Sequence, residues 1–158
     1  MEFFTIGVFN SKEQTFFDKL IEHRIDTFCD IRQRRGVRGS EYSFVNSNKL
    51  QQKLIELNIN YMHILDLAPT TEIREMQKVA DKSQGINKRV RNELGAVFKL
   101  AYTEKVLKCF DFESFISELK SIDSKRIVLF CVEEKHEACH RSIVANKLRT
   151  MGFQITNI

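Results

Sequence analysis

The chain has 158 residues, a length at which roughly 70% of the unfolded surface can be buried around one core. With 42% hydrophobic residues, 29% charged residues and 13 Phe, its composition excludes the disordered and fibrous classes. A net charge of +4, from 25 basic and 21 acidic residues, is too mild to demand a polyanionic partner by itself.

In chain order, Phe3 to Phe9 is rich in aromatic and β-branched residues and reads as a strand. Ser11, with Gln14 three positions on, reads as the cap of a helix that carries Phe16, Phe17, Leu20 and Ile21 on one face. Ile25 to Ile31 is a second strand. An Arg-rich loop follows, then a helix from Ser47 with Leu50, Leu54 and Leu57 in register and Asn58 as its left-handed end. Ile59 to Leu65 is the third strand. From about 69 to 110 the period is helical: a short helix bears Ile73, Met76 and Ala80, and a longer one from about Asn87 bears Val90, Leu94, Val97 and Ala101. Asp111 caps a further helix, Arg126 to Val132 is an apolar strand of the kind buried on both faces, and a helix from about Ala138 to Met151 ends at Gly152. Phe153 to Asn157 is the last strand. Alternating strands and helices predict a single α/β domain over 1–158, three-layered and Rossmann-like, with a mostly parallel sheet of about five strands and a helical insertion at 69–110.

In such sheets ligands sit beyond the carboxyl ends of the strands, so the loops after strands carry the candidate chemistry. The first supplies Asn10. The second runs Asp30-Ile31-Arg32-Gln33-Arg34-Arg35-Gly36-Val37-Arg38-Gly39, with four guanidinium groups whose forked donors match phosphate oxygens. The last runs from Cys131 through Glu133 to Cys139-His140-Arg141. There a helix N-terminus favours anions and lowers a thiol pKa.

Ligand binding is therefore expected from Asn10, Arg32, Arg34, Arg35, Arg38, Cys131 and Arg141, and any acid, base or nucleophilic role from Asp30, His63, Glu133, Cys139 and His140. Adjacent residues of a helix point about 100° apart, which speaks against Cys139 and His140 acting as a dyad. No metal site is expected, because seven residues separate Cys131 from Cys139 where zinc sites show short paired spacings. No dinucleotide or P-loop fingerprint is present, so no cofactor is named. Lys88, Arg89 and Arg91 form a second basic patch, read as solvated helix surface.

No apolar run approaches the ~18 residues of a spanning helix, and Met1-Glu2-Phe3-Phe4-Thr5 lacks the pattern of a secretory leader. A cytoplasmic protein without a membrane partner is expected. Its four cysteines, Cys29, Cys109, Cys131 and Cys139, are read as thiols rather than disulfides.

Thr5-Ile6-Gly7 with Asn10, Asp30-Ile31-Arg32, Tyr42 with Phe44, Ile59-Asn60-Tyr61-Met62-His63 with Leu67, and Cys131, Glu133 and Cys139-His140-Arg141-Ser142 follow one another over nearly the whole chain. In this order they resemble the domain-of-unknown-function 488 family of small, mainly bacterial and archaeal proteins. The Cys-His-Arg run with its upstream strand Cys is the most specific element. The chain departs from the family where Gly7-Val8 replaces a frequent Gly-His and Leu67-Ala68 a frequent Leu-Gly, which removes a potential acid–base His. The resemblance implies a Rossmann-like fold and the place of the site, and implies no reaction. The expected function is binding of a phosphate-bearing ligand, nucleotide or nucleic acid, at the carboxyl ends of the strands. A thiol enzyme or redox sensor using Cys139 or Cys131, and a protein-interaction module, are the alternatives.

Overall fold

The alternation of apolar strands with amphipathic helices builds a five-stranded sheet in the order β3-β2-β4-β1-β5, with every neighbouring pair parallel. The strands are β1 (Glu2–Ile6), β2 (Thr27–Asp30), β3 (Asn60–His63), β4 (Arg126–Phe130) and β5 (Ile155–Asn157). The computed structural model describes residues 1–37, 39–83, 85 and 92–158. The second basic patch and Arg38 lie outside them.

Side chains alternate across a strand, so the parallel register sorts each strand into two faces. Phe4, Ile6, Phe28, Val128 and Phe130 face α1 (Glu13–Glu22) and α2 (Ser47–Glu56), which contribute Phe16, Phe17, Leu20, Leu50 and Leu54 to that core. Phe3, Cys29, Ile127 and Leu129 face the other way. They pack with Phe98 and Tyr102 of α4 (Ala96–Tyr102), Phe115 and Leu119 of α5 (Phe112–Ser121), and Val144 and Leu148 of α6 (Arg141–Thr150). The result is the three-layer, Rossmann-like α/β fold. Among the described residues no helix is long and apolar enough to cross a membrane.

Local signals set most boundaries. Asn58 adopts φ 54 after α2, Asp111 caps α5 by accepting from the Ser114 amide at 2.9 Å, and Gly152 adopts φ +92 after α6. Three expectations are corrected. Ser11 does not cap α1, whose N-cap is Lys12, and Gln14 instead bonds Asp18 one turn on. The start of the helix expected from Asn87 falls outside the described residues, and Leu94 precedes α4 as a buried loop residue. Lastly, the helix expected from Ala138 begins only at Arg141. A short 3₁₀ turn (His136–Ala138) leads to Cys139 in extended backbone, with φ −131 and ψ 144, and to His140 as the N-cap.

The register fixes where the chemistry gathers. Ile6, Asp30 and Phe130 pair across β1, β4 and β2 in one row, so the loops after these three strands leave the sheet side by side.

Candidate functional site

After β2 the chain turns back on itself electrostatically. The Asp30 carboxylate, fully buried, accepts from Arg32 Nε at 2.8 Å, Arg32 Nη2 at 2.7 Å and the Arg32 amide at 3.1 Å. Tyr61 on β3 donates its hydroxyl to the same carboxylate at 3.0 Å. Burial, with the charge of Asp30, pushes Tyr61 up to about 12, so it remains a donor at neutral pH. Arg32 Nη2 also donates to the Val45 carbonyl at 3.0 Å, and the guanidinium lies 4.5 Å from the centre of the Phe130 ring. Its remaining nitrogen, Nη1, is buried without a partner among the described residues.

The loop after β4 is folded by Arg141. This side chain is 2% exposed and donates Nη1 to the Glu133 carbonyl at 2.5 Å and Nη2 to the Glu134 carbonyl at 2.8 Å, pulling the loop onto the start of α6. Gly7, just beyond β1, makes room: a Cβ there would stand 2.0 Å from the Glu133 carbonyl oxygen. With the loop so held, the sulfurs of Cys131 and Cys139 and a ring nitrogen of His140 lie within 4.8 Å of one another, all buried. His140 Nδ1 is 3.8 Å from each sulfur, and His140 Nε2 donates to the Ile31 carbonyl at 3.0 Å. The Cys131 sulfur also stands 3.3 Å from a carboxylate oxygen of Glu133.

The extended backbone of Cys139 makes this possible. On a helix its side chain would point away from that of His140, and the spacing argument against a Cys139–His140 contact does not apply. Burial opposes charge on Cys139, but the hydrogen bond with Cys131 and the positive charges of Arg141 and His140 outweigh it and hold the thiol well below its usual range. The same hydrogen bond and burial push Cys131 up. Burial lowers His140, yet the adjacent Cys139 charge more than compensates and raises it. Charge is thus favoured on Cys139 and on His140 and disfavoured on Cys131.

These groups border a cleft of about 380 Å³. Of the residues expected at the site, Arg32, Arg34, Cys131, Glu133, Cys139 and His140 line it. Others do not. Asp30 lies beneath Arg32, Asn10 bonds the Glu134 carboxylate and the Tyr42 hydroxyl, and Arg141 has its Nη groups on loop carbonyls. His63 donates to the Arg32 carbonyl and faces a separate, wider groove beside β3, and Arg35 lies against Tyr61.

The opposite wall comes from α3 (Thr71–Ser83), which the sequence reading assigned no role. Arg74, Gln77, Lys78 and Asp81 line the cleft, with Arg74 Nη1 bonded to Gln33 and Gln77 bonded to Asp81 at 2.7 Å. Gln77 and Asp81 are buried while Val79 is 69% exposed, so this helix turns a polar stripe inward. The spacing 74, 77, 78 and 81 was visible as one helical face. It looks identical to a solvated face until the tertiary structure is known.

The cysteines differ in access. Cys109 is exposed, whereas Cys29 is fully buried and its thiol is pushed far up by burial and by the negative charges of Glu118, Asp30 and Asp26. Iodoacetamide labelling read by mass spectrometry should modify Cys109 first and Cys29 only after denaturation. Early labelling of Cys29 would contradict the packing described.

The model of the family described as Domain of unknown function DUF488 matches residues 12–148. No curated protein and no solved structure shows significant similarity to the chain.

Proposed function

The chain belongs to the DUF488 family, whose description assigns no activity, and from the site itself we propose that it binds a small phosphate-bearing ligand of about nucleotide size in this cleft. The observation that carries the reading is Arg32, a residue of the cleft lining whose Nη1 is buried without an acceptor among the described residues. Leaving such a donor unpaired costs about 1–3 kcal/mol, and a phosphate oxygen relieves it. Asp30 holds the guanidinium in place beforehand, so little rotamer freedom is lost on binding.

Charge and size agree. Arg34, Arg74 and Lys78 line the cleft with Arg32, against Asp81 and Glu133 among the described residues. A volume of 380 Å³ is that of a small-molecule site, and Phe9 and Phe98 on its walls offer flat apolar surface to a base. A nucleic-acid strand needs an open track of cations and stacking rings, which favours the nucleotide over the strand. Cys139 is 1% exposed, so attack on a substrate would require an opening of the loop, whereas Arg34 and Lys78 are exposed and meet a ligand as they stand. Arg32, 3% exposed, reaches the ligand after a local shift of the cleft wall.

Titration calorimetry with inorganic phosphate, nucleoside mono- and triphosphates and a short oligonucleotide tests the reading. Saturable binding of at least one mononucleotide is expected. Arg74→Ala with Lys78→Ala should weaken it about 10–100-fold, the loss of one or two charge-assisted hydrogen bonds. Absence of binding across the panel, or affinity unchanged in the double variant, would overturn it.

A further inference from the structure

We infer that Cys131, Cys139 and His140 are the ligands of a single thiophilic divalent ion, zinc in the first instance, bound at the wall of the cleft. Nothing in the phosphate-binding reading requires this ion, and different atoms would hold it.

Geometry comes first. A tetrahedral zinc stands about 2.3 Å from each thiolate sulfur and about 2.0 Å from an imidazole nitrogen, which places sulfur and nitrogen about 3.5 Å apart. The two sulfur-to-Nδ1 separations here are both 3.8 Å, so shifts of a few tenths of an ångström bring the imidazole and each sulfur to that spacing. All three donor atoms lie within 4.8 Å of one another, and no other group among the described residues meets the same condition.

The surrounding bonds are those of a ligand set. Metal-bound imidazoles commonly donate their second ring N–H to a carbonyl or carboxylate, which fixes the ring and leaves the other nitrogen to the ion. His140 Nε2 donates to the Ile31 carbonyl at 3.0 Å, leaving Nδ1 toward the sulfurs. The Arg141 clasp on the Glu133 and Glu134 carbonyls holds the ligand loop from outside.

Two thiolates and one imidazole suit zinc or another thiophilic ion rather than magnesium or calcium. Three protein ligands leave a fourth corner. Because Cys131, Cys139 and His140 all line the cleft, that corner is filled from the cleft, by water or by an oxygen of the bound ligand. The ion there acts as a Lewis acid toward whatever oxygen it meets.

The test uses the full chain, stripped with a chelator under reducing conditions and titrated with cobalt(II), then with zinc. One equivalent of cobalt is expected, with near-ultraviolet sulfur-to-cobalt charge transfer and the intense visible bands of tetrahedral cobalt, both abolished by zinc. Cys131→Ser, Cys139→Ser and His140→Asn should each weaken zinc binding at least about 100-fold, and Cys109→Ser should leave it unchanged. Arg74→Ala with Lys78→Ala should keep full metal binding while losing phosphate affinity, so the two readings fail separately. Wild-type protein that takes up no cobalt, or takes it up without thiolate charge transfer, would overturn the assignment whether or not any variant folds. Charge transfer surviving in the Cys131→Ser, Cys139→Ser double variant would overturn it as well.

Discussion

Asp30→Ala should lower the stability of the protein by about 3–5 kcal/mol, which for a chain of this length corresponds to a fall of roughly 10 °C in melting temperature. The loss is large because of what stays behind. Arg32 is 3% exposed, and without Asp30 its charge would face the Phe130 ring with the Val45 carbonyl as its acceptor among the described residues, while the Tyr61 hydroxyl would lose its bond. Removing both charges is a different matter, since buried ion pairs are often replaced by apolar groups at little cost. Asp30→Leu with Arg32→Met should therefore be more stable than Asp30→Ala, yet should bind no phosphate ligand. Thermal and urea melts of the three proteins decide the point. An alanine variant within 1 kcal/mol of wild type would mean that Arg32 finds solvent when its partner is gone.

Gly7→Ala should cost about 3 kcal/mol, at the upper end of what one added methyl does in a packed interior. The reason is a backbone clash and not a conformational preference. An added Cβ would sit 2.0 Å from the Glu133 carbonyl oxygen and 2.9 Å from its carbon, and neither can rotate away as a side-chain tip would. The loop must move, and the same carbonyl anchors Arg141, so the displacement reaches Cys131 and Cys139. Gly36→Ala is the control, because its nearest neighbour would be Asn46 Oδ1 at 3.9 Å. Gly36→Ala should melt like wild type, while Gly7→Ala melts earlier and loses the cobalt–thiolate absorption. Equal melting of the two would show that the loop is softer than its hydrogen bonds imply.

Strands and helices were legible because burial writes its period into the chain. The run Ile127–Phe130 could only be a strand covered on both faces, and Leu50 and Leu54 could only line one side of a helix. Strand order was not legible, since nothing local in β4 records that it inserts between β1 and β2. The site was half legible. Its position followed from the parallel sheet, and Arg32, Cys131, Cys139 and His140 were singled out by type. Their roles were hidden by contacts between loops: Asp30 and Arg32, two residues apart, satisfy each other, and Arg141 binds carbonyls of its own loop. The clustering of Cys131, Cys139 and His140 escaped because spacing rules presume both cysteines on one tight turn. Here one ends a strand and the other follows a 3₁₀ turn that brings the chain back to it.

The position of β1 has a further consequence. It lies between β4 and β5, its Glu2 side chain bonds Arg126 across 124 residues of chain, and its Thr5 hydroxyl bonds Asn157 across 152. Contacts of such separation make folding slow, because the ends of long loops must meet before any bond between them forms. During synthesis, at about 5–20 residues per second, β1 waits on the order of ten seconds for β4 to be made. Throughout that interval the apolar residues Phe3, Phe4 and Ile6 have no sheet to join. The first strand of the nascent chain thus stays unpaired long after it is made, and the centre of the sheet sets only when β4 has emerged between β1 and β2.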